Sequence, residues 1–137
     1  MSERDTVQQF LKIFLWLVAV HSFLVGLFLI IMPESWLDFF GYLHYRRTFF
    51  QVQGGVFHLV MAAGYCLAAR NPAGERALMI LIICAKGLAT IFLMLYYFGV
   101  ERIWIVLLSA LGDALMGSII LIAFLRMKKT VYSPESQ

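Results

Sequence analysis

Residues 77–98 read ALMILIICAKGLATIFLMLYYF, an apolar run broken near its centre by a single charge, Lys86. A helix needs roughly 20 apolar residues to cross about 30 Å of hydrocarbon, and this run is long enough. Strands of a membrane barrel would alternate with period two over about 10 residues, and no such alternation occurs here. Outward from this run, charges delimit three more: Lys12 to Glu34, Arg47 to Arg70, and Arg102 to Arg126. The reading places spans at residues 10–31, 48–69, 77–98 and 103–125. Because lipid offers no hydrogen bonds to the backbone, four such runs are read as helices.

Composition agrees. The chain has 137 residues, 62% of them hydrophobic and 14% charged. An ordinary soluble domain is about half apolar and a quarter charged. A chain this short cannot hide the excess from water, since small domains keep a large surface fraction. The expected fold is all-α, a four-transmembrane-helix bundle. Residues 1–9 form a short N-terminal segment, 10–126 the single transmembrane domain, and 127–137 a basic, then polar tail. The first run is too long for a signal peptide, has no basic region before it of the usual kind, and reads as a retained helix.

The net charge is +3, and its placement carries more information than its size. Arg4, Lys12, Arg70, Arg76, Arg126, Lys128 and Lys129 fall on one side of the predicted bundle, while Arg46, Arg47 and Arg102 fall on the other. The side richer in Lys and Arg is expected to be cytoplasmic, which puts both termini there. Trp36, Tyr42, Tyr45, Tyr96, Tyr97 and Trp104 form an aromatic belt at the opposite interface. Arg126-Met127-Lys128-Lys129, at a helix end, suits anionic headgroups rather than nucleic acid. The partners implied are the bilayer and, beyond it, other membrane proteins or further copies of the chain. Cys66 and Cys84 lie in apolar stretches of the cytoplasmic half, where no structural disulfide is expected.

Asn71-Pro72-Ala73-Gly74 and Phe98-Gly99-Val100-Glu101 are tight links. Short links make neighbours antiparallel, so the topology predicted is up-down-up-down. Residues 32–47 are the exception. Pro33-Glu34-Ser35-Trp36-Leu37-Asp38-Phe39-Phe40-Gly41 predicts a short helix with Pro in its first turn and Gly at its end. Its apolar residues suit either an interfacial helix on the outer leaflet or a lid closing the bundle.

Each span carries one ionisable residue near its middle: His21, His58, Lys86 and Asp113. At a rise of about 1.5 Å per residue, all four fall within about 3 Å of the bilayer centre. An isolated Lys or Asp there costs roughly 2.5–3.5 kcal/mol on insertion scales. All four are therefore expected to face inward, with Lys86 and Asp113 as an ion pair. Gln51, Gly54 and Gly55, His58, Ala62 and Tyr65 recur at helical intervals along the second span. Ser109, Asp113 and Gly117 give the fourth a small-residue face.

This layer admits four readings. It is a buried network that fixes helix register; a pocket for the polar head of a lipid- or quinone-like molecule, with Gln51 and Tyr65 beside the layer; a haem or metal site held by His21 and His58; or part of a proton path. No motif assigns a cofactor, and haem and quinone are those the layer would accommodate. No nucleophile triad or phosphate-binding loop is present, so the sequence reads as non-enzymatic. It describes an accessory subunit of a membrane assembly or a binder of a hydrophobic small molecule.

Gln53-Gly54-Gly55-Val56-Phe57, the run from Gly64 through Tyr65 and Ala68-Ala69-Arg70-Asn71-Pro72, and Cys84-Ala85-Lys86-Gly87 make up a pattern with the outer segment from Pro33 to Gly41. Together they resemble the small bacterial four-helix membrane proteins of the DoxX-like and BphX-like group. The resemblance implies a four-helix bundle in a bacterial inner membrane. It also implies relatives associated with quinone-linked redox systems or with aromatic-degradation enzymes. Lys86 matches a lysine that recurs in the group; His21 and His58 come from depth alone.

Overall fold

A computed structural model of the chain describes residues 3–42 and 49–129. Tyr45, Arg46, Arg47 and the tail beyond residue 129 lie outside the described residues. The described residues form five helices: α1 (Glu3–Ile31), α2 (Glu34–Phe39), α3 (Phe49–Arg70), α4 (Arg76–Gly99) and α5 (Trp104–Lys129). No strand occurs among the described residues. Four of the helices are long and apolar enough to cross a membrane. Only 17–28% of each span is buried within the protein, and what faces outward is mostly Leu, Ile, Phe and Val. Such a surface belongs against lipid, and the chain is an integral membrane protein by this measure.

α1 begins before residue 10 and α5 continues past residue 125, beyond the apolar runs. Hydropathy marks where the hydrocarbon ends, whereas a helix continues into water as long as nothing breaks it. Breakers do set the other boundaries. α1 stops ahead of Pro33, because the residue before a proline is pushed out of helical geometry. Pro33 itself stands at the N-cap of α2, extended at ψ 151°, rather than inside its first turn. Gly41 at φ 91° closes α2, with Tyr42 N–H donating to Leu37 O (2.9 Å) and Gly41 N–H to Asp38 O (3.1 Å). These two bonds form a Schellman closure, in which a left-handed residue satisfies the last carbonyls. Between α3 and α4, Gly74 and Glu75 N–H groups both donate to Asn71 O at 3.1 Å.

The main pairings are α1 with α3 and α4 with α5; α1 also packs on α5, and α3 meets α4 least. Contacts at Gly26–Gly55, Ser22–His58 and Leu29–Gln51 run in opposite sequence directions, so α1 and α3 are antiparallel. One apolar core lies where α1 and α4 begin and α3 and α5 end, around Leu11, Leu15, Ala68, Met79, Ile82 and Phe124. The opposite end is aromatic. Phe40 stands 5.5 Å from Phe28 and 6.0 Å from Trp104, which ties α2 to α1 and α5. Leu37 and Met32 turn inward there, while Trp36 and Phe39 remain exposed. Burial, with Tyr96 and Glu101 nearby, raises the Tyr42 phenol above its ordinary pKa.

Candidate functional site

The interior follows a heptad spacing on all four spans. Leu11, Leu15, Val18, Ser22 and Gly26 line α1; Gly55, Ala62, Tyr65 and Ala69 line α3; Met79, Ile82 and Lys86 line α4. Ile103, just before α5, and Val106, Ala110, Ile120, Phe124 and Met127 on it are buried at that spacing, with Ala123 buried beside them. Asp113 and Gly117 continue that same spacing. A 3.5-residue repeat keeps one seam facing its neighbours along the whole helix. Polar residues on the seam are therefore carried inward whatever their hydropathy.

Lys86 and Asp113 meet on this seam. Lys86 Nζ donates to Asp113 Oδ1 at 2.5 Å, with the two side chains 6% and 15% exposed. The ammonium also stands over the Tyr65 ring of α3, 5.6 Å from its centroid, a cation–π placement. One lysine thus links three helices, including the α3–α4 seam where packing is sparsest. Gly117 makes this approach possible, because a Cβ there would come within 3.0 Å of Lys86 Cβ. Thr90 Oγ1 donates back to Lys86 O at 2.9 Å, within its own helix.

His58 is half-buried, and its partner is Ser22. The Ser22 hydroxyl donates to the His58 carbonyl at 2.9 Å and lies 3.3 Å from Nδ1. With that hydrogen committed, Oγ is left as an acceptor, which fits a hydrogen on Nδ1 and leaves Nε2 a lone pair. His58 lies within electrostatic reach of Asp113, Lys86 and His21. Gln51 is half-buried and donates from Nε2 to Leu29 O at 3.0 Å, so it fastens α3 to α1. It takes no part in the Lys86–Asp113 contact.

His21 corrects the expectation of four inward groups: it is exposed on the outer face of α1. Depth fixes height along a helix but not direction around it, and adjacent residues point about 100° apart. The inward residue of that turn is Ser22, 2% exposed, which a hydropathy-based search for charges passes over. Its signal was its heptad register with Leu11, Leu15 and Val18. The haem or metal reading is left with one interior histidine rather than two. Among the described residues, no group of three or more His, Cys, Asp or Glu is placed to hold a metal ion.

The ion pair is not sealed. A cleft of about 290 Å³ runs between α4 and α5, with Lys86, Thr90 and Asp113 in its floor and Gly87, Ala114 and Ser118 in its walls. Gly87, Ser118 and Leu121 are exposed, so the cleft opens on the lipid-facing side. Small residues on both helices leave the space. Comparison with protein-family models, with characterised proteins and with solved structures returns no match.

Replacing Ser22 by Ala removes the hydroxyl while keeping its volume nearly intact. A loss of roughly 1 kcal/mol is expected, as for one buried hydrogen bond. Unfolding in mixed micelles, compared with Ser109→Ala on an exposed position, measures it. No difference between the two variants would show that the Ser22 contact is energetically idle.

Proposed function

We propose that the chain is a small membrane protein that binds a lipid- or quinone-like molecule, with the ligand's polar head at the Lys86–Asp113 pair and its tail along the α4–α5 cleft. The observation that carries this reading is the cleft itself, which brings a desolvated ion pair within reach of the lipid phase. A cleft with apolar walls and a few convergent polar groups is the usual form of a small-molecule site. Lys86 has further N–H donors beyond the one given to Asp113, and it can offer one to a carbonyl or hydroxyl. A head of that kind is neutral, so it does not disturb the charge balance of the pair. In the same reading both termini lie on the cytoplasmic side, and α2 rests at the opposite interface with Trp36 and Phe39 among the headgroups. Kinship with the DoxX-like group is compatible with this reading and does not carry it.

Decylbenzoquinone is a suitable probe, since it pairs carbonyl acceptors with a short tail. Native mass spectrometry of the detergent-solubilised protein is expected to show one molecule bound. Ser118→Trp fills the cleft from its exposed side and should abolish that binding, since a filled cleft can no longer bury the ligand. Equal binding by wild type and Ser118→Trp would remove the cleft as the site.

A further inference from the structure

A second cleft, unconnected with the ion pair, lies at the end of the bundle where α1 begins and α5 finishes. It measures about 360 Å³ and is lined by Thr6, Val7, Phe10, Ile119, Ile122 and Arg126, among others. Its walls are apolar, and its charged and hydroxyl groups come at one end only. The apolar run of α1 starts at residue 10 and that of α5 stops at residue 125, so Thr6 and Arg126 both lie just beyond the hydrocarbon, at the headgroup side of its edge. Phe10 lies about one turn deeper than Thr6, and Ile119 about two turns deeper than Arg126, at roughly 5.4 Å per turn. The cleft therefore has a polar mouth at headgroup level and an oily floor at acyl level.

The surrounding charge has one sign in excess. The shared core places the start of α1 and α4 and the end of α3 and α5 together. By sequence, that end and the tail after it hold Arg4, Lys12, Arg70, Arg76, Arg126, Lys128 and Lys129 against Glu3, Asp5, Glu75 and Glu135. A guanidinium matches a phosphate with two parallel donors, which a hydrated ammonium cannot do as well.

We propose that this cleft seats one anionic phospholipid, with its phosphate at Arg126 and the Thr6 hydroxyl and one acyl chain along Phe10, Ile119 and Ile122. Asp5, adjacent to Thr6, moderates the positive potential, so a singly charged head such as phosphatidylglycerol suits the mouth better than a multiply charged one. The seat lies between the first helix and the last, which are far apart in sequence and pack on one another.

The test uses the full chain in mild detergent with equal amounts of phosphatidylglycerol and phosphatidylcholine, read by native mass spectrometry. Wild type should retain phosphatidylglycerol in preference by about fivefold, the effect of one basic residue at an anionic surface. Arg126→Gln should abolish that preference, and Arg102→Gln at the opposite end should leave it intact. Ile122→Trp, at a half-exposed position, should displace both lipids without changing thermal unfolding. Inorganic phosphate should not compete, because it brings no tail to the floor. The proposal is overturned if wild type shows no preference, if the preference survives Arg126→Gln, or if Arg102→Gln removes it equally. It is overturned too if Ile122→Trp turns a dimer into a monomer with lipid retention unchanged, since the cleft would then hold a second copy of the chain.

Discussion

Lys86→Leu is expected to destabilise the folded bundle by about 3 kcal/mol, as breaking a buried ion pair from one side does. Asp113→Leu should cost a similar amount, yet the double variant should fall within about 1 kcal/mol of wild type, since a pair replaced by apolar side chains is often close to neutral. The cause lies in what each single change leaves behind. With Lys86 gone, Asp113 has lost its 2.5 Å partner in the middle of a span. A carboxylate left alone there is costly whether it keeps its charge or takes up a proton. The reverse holds for Lys86 without Asp113, eased in part by the Tyr65 ring beneath the ammonium. Equilibrium unfolding of the four proteins in mixed micelles forms a double-mutant cycle, which isolates the coupling. Simple addition of the two single losses would mean that the pair contributes nothing as a pair, and the seam would then owe its register to packing alone.

Much of this fold was legible in the sequence because charge is so scarce in it. Each span is bounded by Lys, Arg or Glu, so its ends could be placed to within a few residues, and Lys86 had one natural partner. Helix direction around the axis was harder to read. In water an inward face announces itself as apolar, whereas here the outward face is apolar too, and amphipathicity fades on every span. Where the inside differs from the outside it does so by small or polar residues at heptad spacing, as with Ser22 and Gly26 on α1, while Leu11 and Leu15 on the same seam look like any lipid-facing leucine. A search for ionisable groups therefore selected His21 over its neighbour Ser22. The two clefts were illegible for another reason. Each depends on which two helices are neighbours and on how closely they approach, and neither quantity is written in a single helix. The small residues Gly87, Ala114 and Gly117 signalled close approach, yet the same residues leave the space beside the ion pair.

Close approach itself yields the second large effect. Gly55→Ala should destabilise the protein by about 2 kcal/mol, within the range for overpacking a tight interior. Gly54→Ala, one residue earlier, should be neutral or stabilising by up to about 1 kcal/mol, because alanine is the better helix former. The two glycines sit in the same turn of the same helix and differ in what they face. A Cβ at Gly55 would lie 2.7 Å from the Gly26 carbonyl oxygen and 2.7 Å from Ile30 Cγ1, whereas one at Gly54 meets nothing within 4 Å. The obstacle at Gly55 is backbone, which cannot rotate aside as a side chain can, so α1 and α3 must separate. The contact is reciprocal, since a Cβ at Gly26 would lie 2.7 Å from the Gly55 carbonyl oxygen. On each glycine the hydrogen in place of a side chain points at the partner's carbonyl, a weak Cα–H···O contact that separation forfeits. Separation also carries Ser22 away from His58, one turn along the same interface. Gly55→Ala should accordingly make Ser22→Ala nearly cost-free in the combined variant, where independent sites would add. Unfolding of Gly54→Ala, Gly55→Ala and the Gly55→Ala/Ser22→Ala pair measures both claims. Equal stability of the two glycine variants would show that α1 and α3 do not rest backbone to backbone at this point.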